Sequence, residues 1–217
     1  MKLVVISPEA ADPRETAVLG ALLAAGLEYY HVRKPHWSAG QLEAWLRALP
    51  EEWRPRLVLH SHHPLVDQFG LGGCHWRDEE SEGRGIPSEP LKHSVRPHGL
   101  PYPGITSRSC HDLPTLRAAL GRYDSVFFGP IFPSLSKANY GPSGDFSPKE
   151  ISMLLAERTP AQRRTAVLAL GGVAARNLQQ IAALGFDGAA VLGAVWQSAD
   201  PAATFQELQQ VTSADVT

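Results

Sequence analysis

Three segments in the second half of this chain end apolar runs with glycine, hydroxyl or lysine residues, which are groups that bind phosphate. Segment 129–137 carries two serines and ends in a lysine, and segments 170–172 and 191–193 end in glycine. Glycines leave backbone N–H groups open to an anion, and a lysine adds a positive charge. The predicted phosphate ligands are Ser134, Ser136, Lys137, Gly171, Gly172 and Gly193.

Imidazole and cationic side chains follow apolar runs in the first half of the chain. His31 and Arg33 alternate along one run, and His60 and His62 alternate along the next. Alternate residues of a strand point to the same face, so each pair is expected to share a face. A guanidinium such as that of Arg33 can bind a carboxylate or phosphate through two parallel hydrogen bonds. The predicted substrate pocket consists of His31, His60, His62, His75 and Ser109.

The histidine-rich segment 60–63 also raises the question of a zinc site. Neutral imidazoles are zinc ligands, but no carboxylate stands at ligand spacing beside these histidines. A surface loop is the favoured interpretation, and no metal site is predicted here. The chain has two cysteines, Cys74 and Cys110, which are too few and too far apart for a disulfide framework or a zinc cluster.

A repeating arrangement of strands and helices must position these residues. Short apolar runs alternate with amphipathic segments, as expected for a parallel sheet buried on both faces. This pattern predicts an α/β fold of the (βα)8 TIM-barrel type, in which catalytic groups lie at the C-terminal ends of the strands. Residues 77–103 are rich in Gly, Pro and charge, so they predict an irregular loop and a degenerate fourth crossover. The predicted strands are 3–7, 29–33, 56–61, 73–76, 104–107, 125–128, 167–170 and 188–192.

The composition is that of one domain spanning residues 1–217. The 20 Lys and Arg residues nearly balance the 22 Asp and Glu residues, and the net charge is −2. This balance gives no reason to expect binding to nucleic acid or to a membrane surface. The first apolar run, residues 3–6, is too short for a signal peptide or a membrane span. We therefore expect a cytoplasmic protein with reduced cysteines.

Several motifs, in order along residues 3 to 196, resemble those of thiamine phosphate synthases and their TenI-like relatives. The segment GPIFPSLSK at 129–137 is similar to the family pattern GPIFPTxTK, and HVRK at 31–34 is similar to QxRxK. GCHW at 73–76, SCHDL at 109–113 and LALGGV at 168–173 are similar to three further family segments. The resemblance implies a (βα)8 barrel that acts on a phosphorylated thiazole, and it suggests a homodimer.

The resemblance implies different chemistry for the two branches of the family. The synthase joins hydroxymethylpyrimidine pyrophosphate to a thiazole phosphate, with magnesium held by an Asn-Asp pair after the third strand and by an Asp after the fourth. Here His60-Ser61 stands at the third-strand position, and Asp78 is the lone candidate at the fourth. Magnesium prefers carboxylate oxygens and water. We therefore expect no cofactor, and magnesium at Asp78 only if synthase activity is retained.

The TenI-like branch aromatises a carboxylated thiazole phosphate tautomer by moving a proton, without a metal. His111 falls where these tautomerases carry their proton-shuttling histidine, and Arg33 or Lys34 could bind the substrate carboxylate. The predicted catalytic residues are therefore His111, Arg33 and Lys34, and the predicted activity is thiazole tautomerase. Synthases often carry the same histidine, so thiamine phosphate synthase is the alternative enzyme. A silent barrel that binds a thiamine-pathway phosphate and regulates a partner also remains open, and isomerisation of an unrelated sugar or indole phosphate is the weakest alternative.

Overall fold

The computed structural model of the protein describes residues 1–77, 104–133, 141 and 146–213. Its strands form a closed barrel in which each strand pairs in parallel with the next along the chain, and the last pairs with the first. This arrangement confirms the predicted (βα)8 fold. The strands are β1 Lys2–Ile6, β2 Tyr30–Val32, β3 Leu57–Leu59, β4 Gly73–Trp76, β5 Ile105–Cys110, β6 Ser125–Phe128, β7 Ala166–Leu170 and β8 Gly188–Val191.

Helices follow most strands, and local sequence signals mark where several of them begin. Ser38 and Ser147 each form a capping box, in which the serine hydroxyl accepts a hydrogen bond from the third helical N–H and the side chain of that third residue bonds back to the serine N–H. Asp112 caps a third helix through Thr115. The helices are α1 Glu15–Ala24, α2 Ala39–Ala48, α3 Pro64–Phe69, α4 Leu113–Ala119, α5 Pro148–Ala156, α6 Leu178–Ala183, α7 Gly193–Trp196 and α8 Pro201–Ser213. Short 3₁₀ helices cover Glu51–Arg56, Gln162–Arg164 and Ala175–Asn177.

Two apolar layers stabilise the barrel, because successive side chains of a strand point to opposite faces. Outward-facing residues such as Tyr30, Leu57 and Phe128 pack with buried helix residues, including Leu22 and Leu116, in the larger core. A smaller apolar cluster fills one side of the barrel interior, and it consists of Val4, Ile6, Phe127, Leu168 and Ala190.

The structure refines the element boundaries. Strand β5 continues to Cys110, three residues beyond its predicted end, and α7 begins at Gly193, where no helix was predicted. Of the predicted irregular loop 77–103, Arg77 is described and residues 78–103 lie outside the described residues. None of the helices in the described part of the chain combines the length and the apolar composition that a membrane span requires.

Candidate functional site

Three histidines from neighbouring strands lie together inside the barrel. His31 belongs to β2, His60 directly follows β3 and His75 belongs to β4. Nδ1 of His31 lies 3.1 Å from Nε2 of His60, so these two nitrogens share one hydrogen bond. The rings of His60 and His75 are stacked, with their centroids 3.9 Å apart and their planes at 17°. All three side chains are buried. The structure thus brings together three of the residues predicted to line a substrate pocket.

Two serines of β5 fix the protonation of His75. The Ser107 hydroxyl donates to the Cys74 carbonyl at 3.3 Å, so its oxygen accepts a hydrogen bond from Nδ1–H of His75 at 2.8 Å. The lone pair of His75 Nε2 then accepts from the Ser109 hydroxyl at 2.9 Å. The predicted pocket residue Ser109 therefore joins the cluster, together with Ser107, which the sequence prediction did not include.

Burial keeps the histidine cluster uncharged near neutral pH. It lowers the pKa of His31 to about 3. It also lowers the pKa of His60 and of His75 well below 6.5, and the neighbouring histidines and the positive charges of Arg33 and Arg77 add to this effect. Nε2 of His31 is buried without a hydrogen-bond partner. Most buried polar atoms in proteins are paired, so this atom marks a place where a water molecule or an ion would fit.

His62 is not brought into the cluster, although it was predicted to share a face with His60. Strand β3 ends at Leu59, and His62 has a φ of 54°, so the strand alternation no longer applies to it. Its Nε2 lies 2.8 Å from the carbonyl oxygen of Trp37. The adjacent His63 contacts the carbonyl of His75 through Nε2 at 3.0 Å.

The two cations after β2 have different surroundings. Arg33 lies at the mouth of the barrel, where its guanidinium forms an ion pair with Glu9 at 2.5 Å, and both side chains are partly exposed. Lys34 is fully buried, and its ammonium contacts Glu15 at 2.5 Å and the carbonyls of Pro8 and Ala10 at 2.7 and 3.1 Å. The ammonium of Lys34 thus anchors the loop between β1 and α1, and its predicted catalytic role would require this buried ion pair to open.

His111 directly follows β5 and is exposed at the C-terminal end of the barrel. Its Nδ1 lies 2.6 Å from the carbonyl oxygen of Gly129. A carbonyl can only accept, so Nδ1 carries the proton and the neutral ring keeps its lone pair on Nε2. The second ring nitrogen of His111 is therefore available as a base, and the backbone after β6 determines its orientation.

The predicted phosphate ligands fall in two groups. Gly171 and Gly172 have φ values of 90° and 62°, and a Cβ on Gly172 would lie 2.3 Å from the carbonyl oxygen of Pro133. These glycines let the segment after β6 pack against the end of β7, next to the point where the described residues stop. Gly193 is the first residue of α7. Ser134, Ser136 and Lys137 lie outside the described residues, and all six phosphate assignments stay predictions.

The residues after β3 do not fit the magnesium ion that the resemblance implies. The first of them, His60, is a buried imidazole, and magnesium prefers oxygen ligands. Within the part of the chain that the structure describes, the one group of three or more His, Cys, Asp or Glu residues close enough to share an ion is His31, His60 and His75. Asp78 lies outside the described residues.

The sequence prediction missed two residues of the site, Ser107 and Glu9, and only the first had a sequence signal that could have identified it. Ser107 has the same strand parity as Ser109, so alternation along β5 was a usable signal. Glu9 lies in a loop that follows β1, and nothing in its sequence context indicated that it would pair with Arg33.

Comparison with known proteins places most of this chain in one family. The family model described as thiamine monophosphate synthase, TMP-TENI, matches residues 3–195. A thiamine-phosphate synthase of Anaeromyxobacter dehalogenans is 31% identical over 204 residues, which are 92% of this chain and 82% of that protein. A thiamine-phosphate synthase of Leuconostoc citreum is 25% identical over 199 residues, with 88% and 86% of the two chains covered.

Solved structures agree with these sequence matches. The crystal structure of a thiamine phosphate pyrophosphorylase from Bacteroides thetaiotaomicron is 27% identical, covers all of both chains and superimposes with a TM-score of 0.75. A thiamine phosphate pyrophosphorylase from Pyrococcus furiosus covers all of this chain and 97% of its own with a TM-score of 0.73, but its 17% identity supports the fold alone.

Proposed function

The chain belongs to the thiamine monophosphate synthase family, and on this premise we propose that it acts on a thiazole phosphate at the C-terminal mouth of the barrel. The chemistry that the site geometry favours is proton transfer by His111 without a metal. One observation carries this proposal: the Nδ1–H of His111 bonds to the Gly129 carbonyl at 2.6 Å, which leaves Nε2 as the basic atom.

The proposed reaction is the aromatisation of a carboxylated thiazole phosphate tautomer. Nε2 of His111 takes a proton from a ring carbon, and the electrons of the broken C–H bond complete the aromatic system. The imidazolium then returns a proton at the other end of the conjugated system, so the step is redox-neutral. Arg33 is placed to bind the substrate carboxylate, which would replace Glu9 as the partner of its guanidinium.

A His111→Asn variant tests this proposal. Asparagine keeps a donor for the Gly129 carbonyl but has no basic atom, so kcat should fall by about 10²- to 10⁴-fold. Binding of the aromatic product should change little, because the variant alters proton transfer rather than the phosphate contacts. The exposed His36 provides the matched control, since His36→Asn removes an imidazole far along the chain from this segment. A His111→Asn enzyme within tenfold of the unmodified protein would contradict the assignment.

Thiamine phosphate synthase is the second candidate, and the names of the matched relatives favour it. In this reaction the pyrophosphate of a pyrimidine substrate leaves as the thiazole nitrogen attacks. The developing negative charge of a leaving pyrophosphate needs a cation to stabilise it. Arg33 and Arg77 directly follow β2 and β4 and would supply positive charge, whereas the buried His60 cannot supply the oxygen ligand that magnesium prefers.

One assay separates the two candidates. The purified protein is given the thiazole carboxylate phosphate tautomer in one reaction, and hydroxymethylpyrimidine pyrophosphate with thiazole phosphate in another, each with magnesium and with a chelator. Aromatisation that survives the chelator supports proton transfer by His111. Thiamine phosphate that forms only with magnesium would overturn our preferred chemistry in favour of the synthase. Loss of both activities with retained binding of thiazole phosphate would indicate a binding protein.

A further inference from the structure

The histidine cluster inside the barrel has no function in the proposed proton transfer. One nitrogen from each of His31, His60 and His75 lies within 4.8 Å of the other two. We infer that these three histidines form a binding site for a divalent transition-metal ion such as Zn²⁺ or Co²⁺, in place of a magnesium site. Metal binding at these histidines would be independent of the proposed activity.

The donor set determines which ion would bind. Three neutral imidazoles provide nitrogen ligands, which suit zinc, cobalt, nickel and copper and do not suit magnesium. Burial favours the uncharged form of each ring, so their lone pairs are available at neutral pH without a proton being lost first. Three histidines with a water molecule in the fourth position make a known type of tetrahedral zinc site.

One nitrogen–nitrogen distance in the cluster is close to the value that a tetrahedral ion needs, and the three candidate ligand atoms all lie within 4.8 Å of one another. Two imidazole nitrogens bound to one tetrahedral zinc are about 3.3 Å apart, and Nδ1 of His31 lies 3.1 Å from Nε2 of His60. The metal would take the place of the proton that these atoms share, and that proton would move to the other nitrogen of its own ring, so both rings stay neutral. His75 would exchange its hydrogen bond with the half-buried Ser109 for the ion, and its ring would turn out of the stack with His60.

A second observation concerns the other nitrogen of the His31 ring, which points away from His60. Nε2 of His31 is buried without a partner, although a buried polar atom of this kind usually contacts protein, water or an ion. When Nδ1 binds a metal, Nε2 carries the ring proton and can donate to a water molecule on the far side of the ring. Arg33 and Arg77 oppose a dication, because their positive charges already disfavour charge on His60 and His75. We therefore expect weaker binding than in a structural zinc site.

Metal titration of the chelator-stripped protein tests the site. Equilibrium dialysis should give about one equivalent of Zn²⁺ or Co²⁺ and none of Mg²⁺, and bound Co²⁺ should show the visible absorption of a four-coordinate ion. His60→Ala should weaken Zn²⁺ binding by about 100-fold or more, since even the loss of an outer-shell partner costs 10- to 100-fold. His36→Ala should leave the affinity unchanged, because His36 is exposed and outside the cluster. Equal affinity of His60→Ala and the unmodified protein would overturn the inference.

X-ray absorption of the zinc-loaded, unmodified protein provides a measurement that does not depend on the folding of a variant. Three imidazole ligands and one oxygen are expected in the first shell. A shell with fewer than two imidazoles, or the absence of stoichiometric zinc, would refute the site. Tautomerase and synthase activities are assayed on the same samples as an independent measurement. Activity without zinc binding would contradict only the metal site, and zinc binding without activity would contradict only the proposed function.

Discussion

Strands β2 to β5 and strands β1 and β6 to β8 line the same barrel, yet they present different side chains to its interior. The first group contributes the polar wall, which we define as His31, His60, His75, Ser107 and Ser109. The second group contributes the apolar wall, which consists of Val4, Ile6, Phe127, Leu168 and Ala190. The two walls meet where the ring of Phe127 lies 4.7 Å from the rings of both His31 and His75.

This difference shows that one side of the closed sheet stabilises the fold by apolar burial, while the other side carries the polar groups that can bind ligands. Apolar side chains gain free energy from burial alone, whereas buried polar groups cost free energy unless they are hydrogen-bonded. His75 meets this condition through two serines, and His31 meets it at one nitrogen only. We therefore expect the stability of the apolar wall to depend mainly on side-chain volume. The stability of the polar wall should depend on pH, on bound ions and on the loss of hydrogen-bond partners.

Acid should destabilise the chelator-stripped protein, because the buried histidines of the polar wall take up protons when the protein unfolds. His31, His60 and His75 have folded-state pKa values below the unfolded value of about 6.5, so unfolding takes up protons as the pH falls below that value. Well below pH 6.5, the free energy of unfolding should drop by about 1.4 kcal/mol per pH unit for each histidine, and by up to about 4 kcal/mol per pH unit for all three. The charged groups Arg33 and Arg77 add to this effect.

Urea denaturation between pH 7.5 and 5.5 measures this dependence. The carboxylates of the protein also titrate in acid, so the informative comparison is with His31→Leu, whose loss of unfolding free energy over this pH range should be smaller by about 1.4 kcal/mol. Identical slopes for the variant and the unmodified protein would show that His31 is not held neutral by burial.

Removal of the aromatic ring between the two walls should have a large effect that does not depend on pH. Phe127 is fully buried, so Phe127→Ala should lower the free energy of unfolding by about 3–5 kcal/mol. Met153 is the exposed counterpart, and Met153→Ala should change stability by less than about 0.5 kcal/mol. Chemical denaturation measures both, and a loss below about 1 kcal/mol for Phe127→Ala would mean that the interior is loosely packed at this point.

Loss of one hydrogen-bond partner should have a smaller effect on the polar wall. Ser107→Ala leaves Nδ1–H of His75 buried without its acceptor, which should cost about 1–3 kcal/mol. The double variant Ser107→Ala with His75→Leu removes both partners, so its loss should be less than the sum of the single losses. Strict additivity in this double-mutant cycle would show that the serine and the histidine do not interact.

The smallest expected change concerns the mouth of the barrel. Glu9→Gln removes the charge that pairs with Arg33, so an anion should bind the guanidinium up to about fivefold more tightly, which is the scale of an exposed ion pair. Calorimetric titration with thiazole phosphate carboxylate measures the change. Glu51→Gln is the control, since Glu51 pairs with Arg54 in the 3₁₀ helix before β3. Weaker anion binding in Glu9→Gln would indicate that Glu9 assists the substrate rather than competing with it.

The strands were predictable because their signal is local. Short, largely apolar runs that alternate with amphipathic segments predicted the eight strands, and Gly73–Trp76 and Ser125–Phe128 have the predicted bounds. Local residues also begin two helices, since Ser38 and Ser147 form capping boxes and a proline follows Ser147. The end of β5 was less clear, since Arg108 and Ser109 interrupt the apolar pattern although the strand continues to Cys110.

The candidate site was only partly predictable. Strand parity placed His31 and His60 in the interior, but it misplaced His62, which lies beyond the end of β3 where the backbone turns. Lys34 follows the same strand as Arg33, and only the tertiary structure shows that its ammonium is buried against Glu15 while Arg33 reaches the mouth.

The sequence by itself determined the barrel, the family and the set of strand ends that carry polar side chains, because apolar runs and short motifs are properties of neighbouring residues. Only the tertiary structure decided which of those polar groups touch. The stack of His60 on His75, the serines that bind His75 and the carbonyl that orients His111 join residues from different strands. Such contacts depend on the register and closure of the sheet, which no local stretch of sequence specifies.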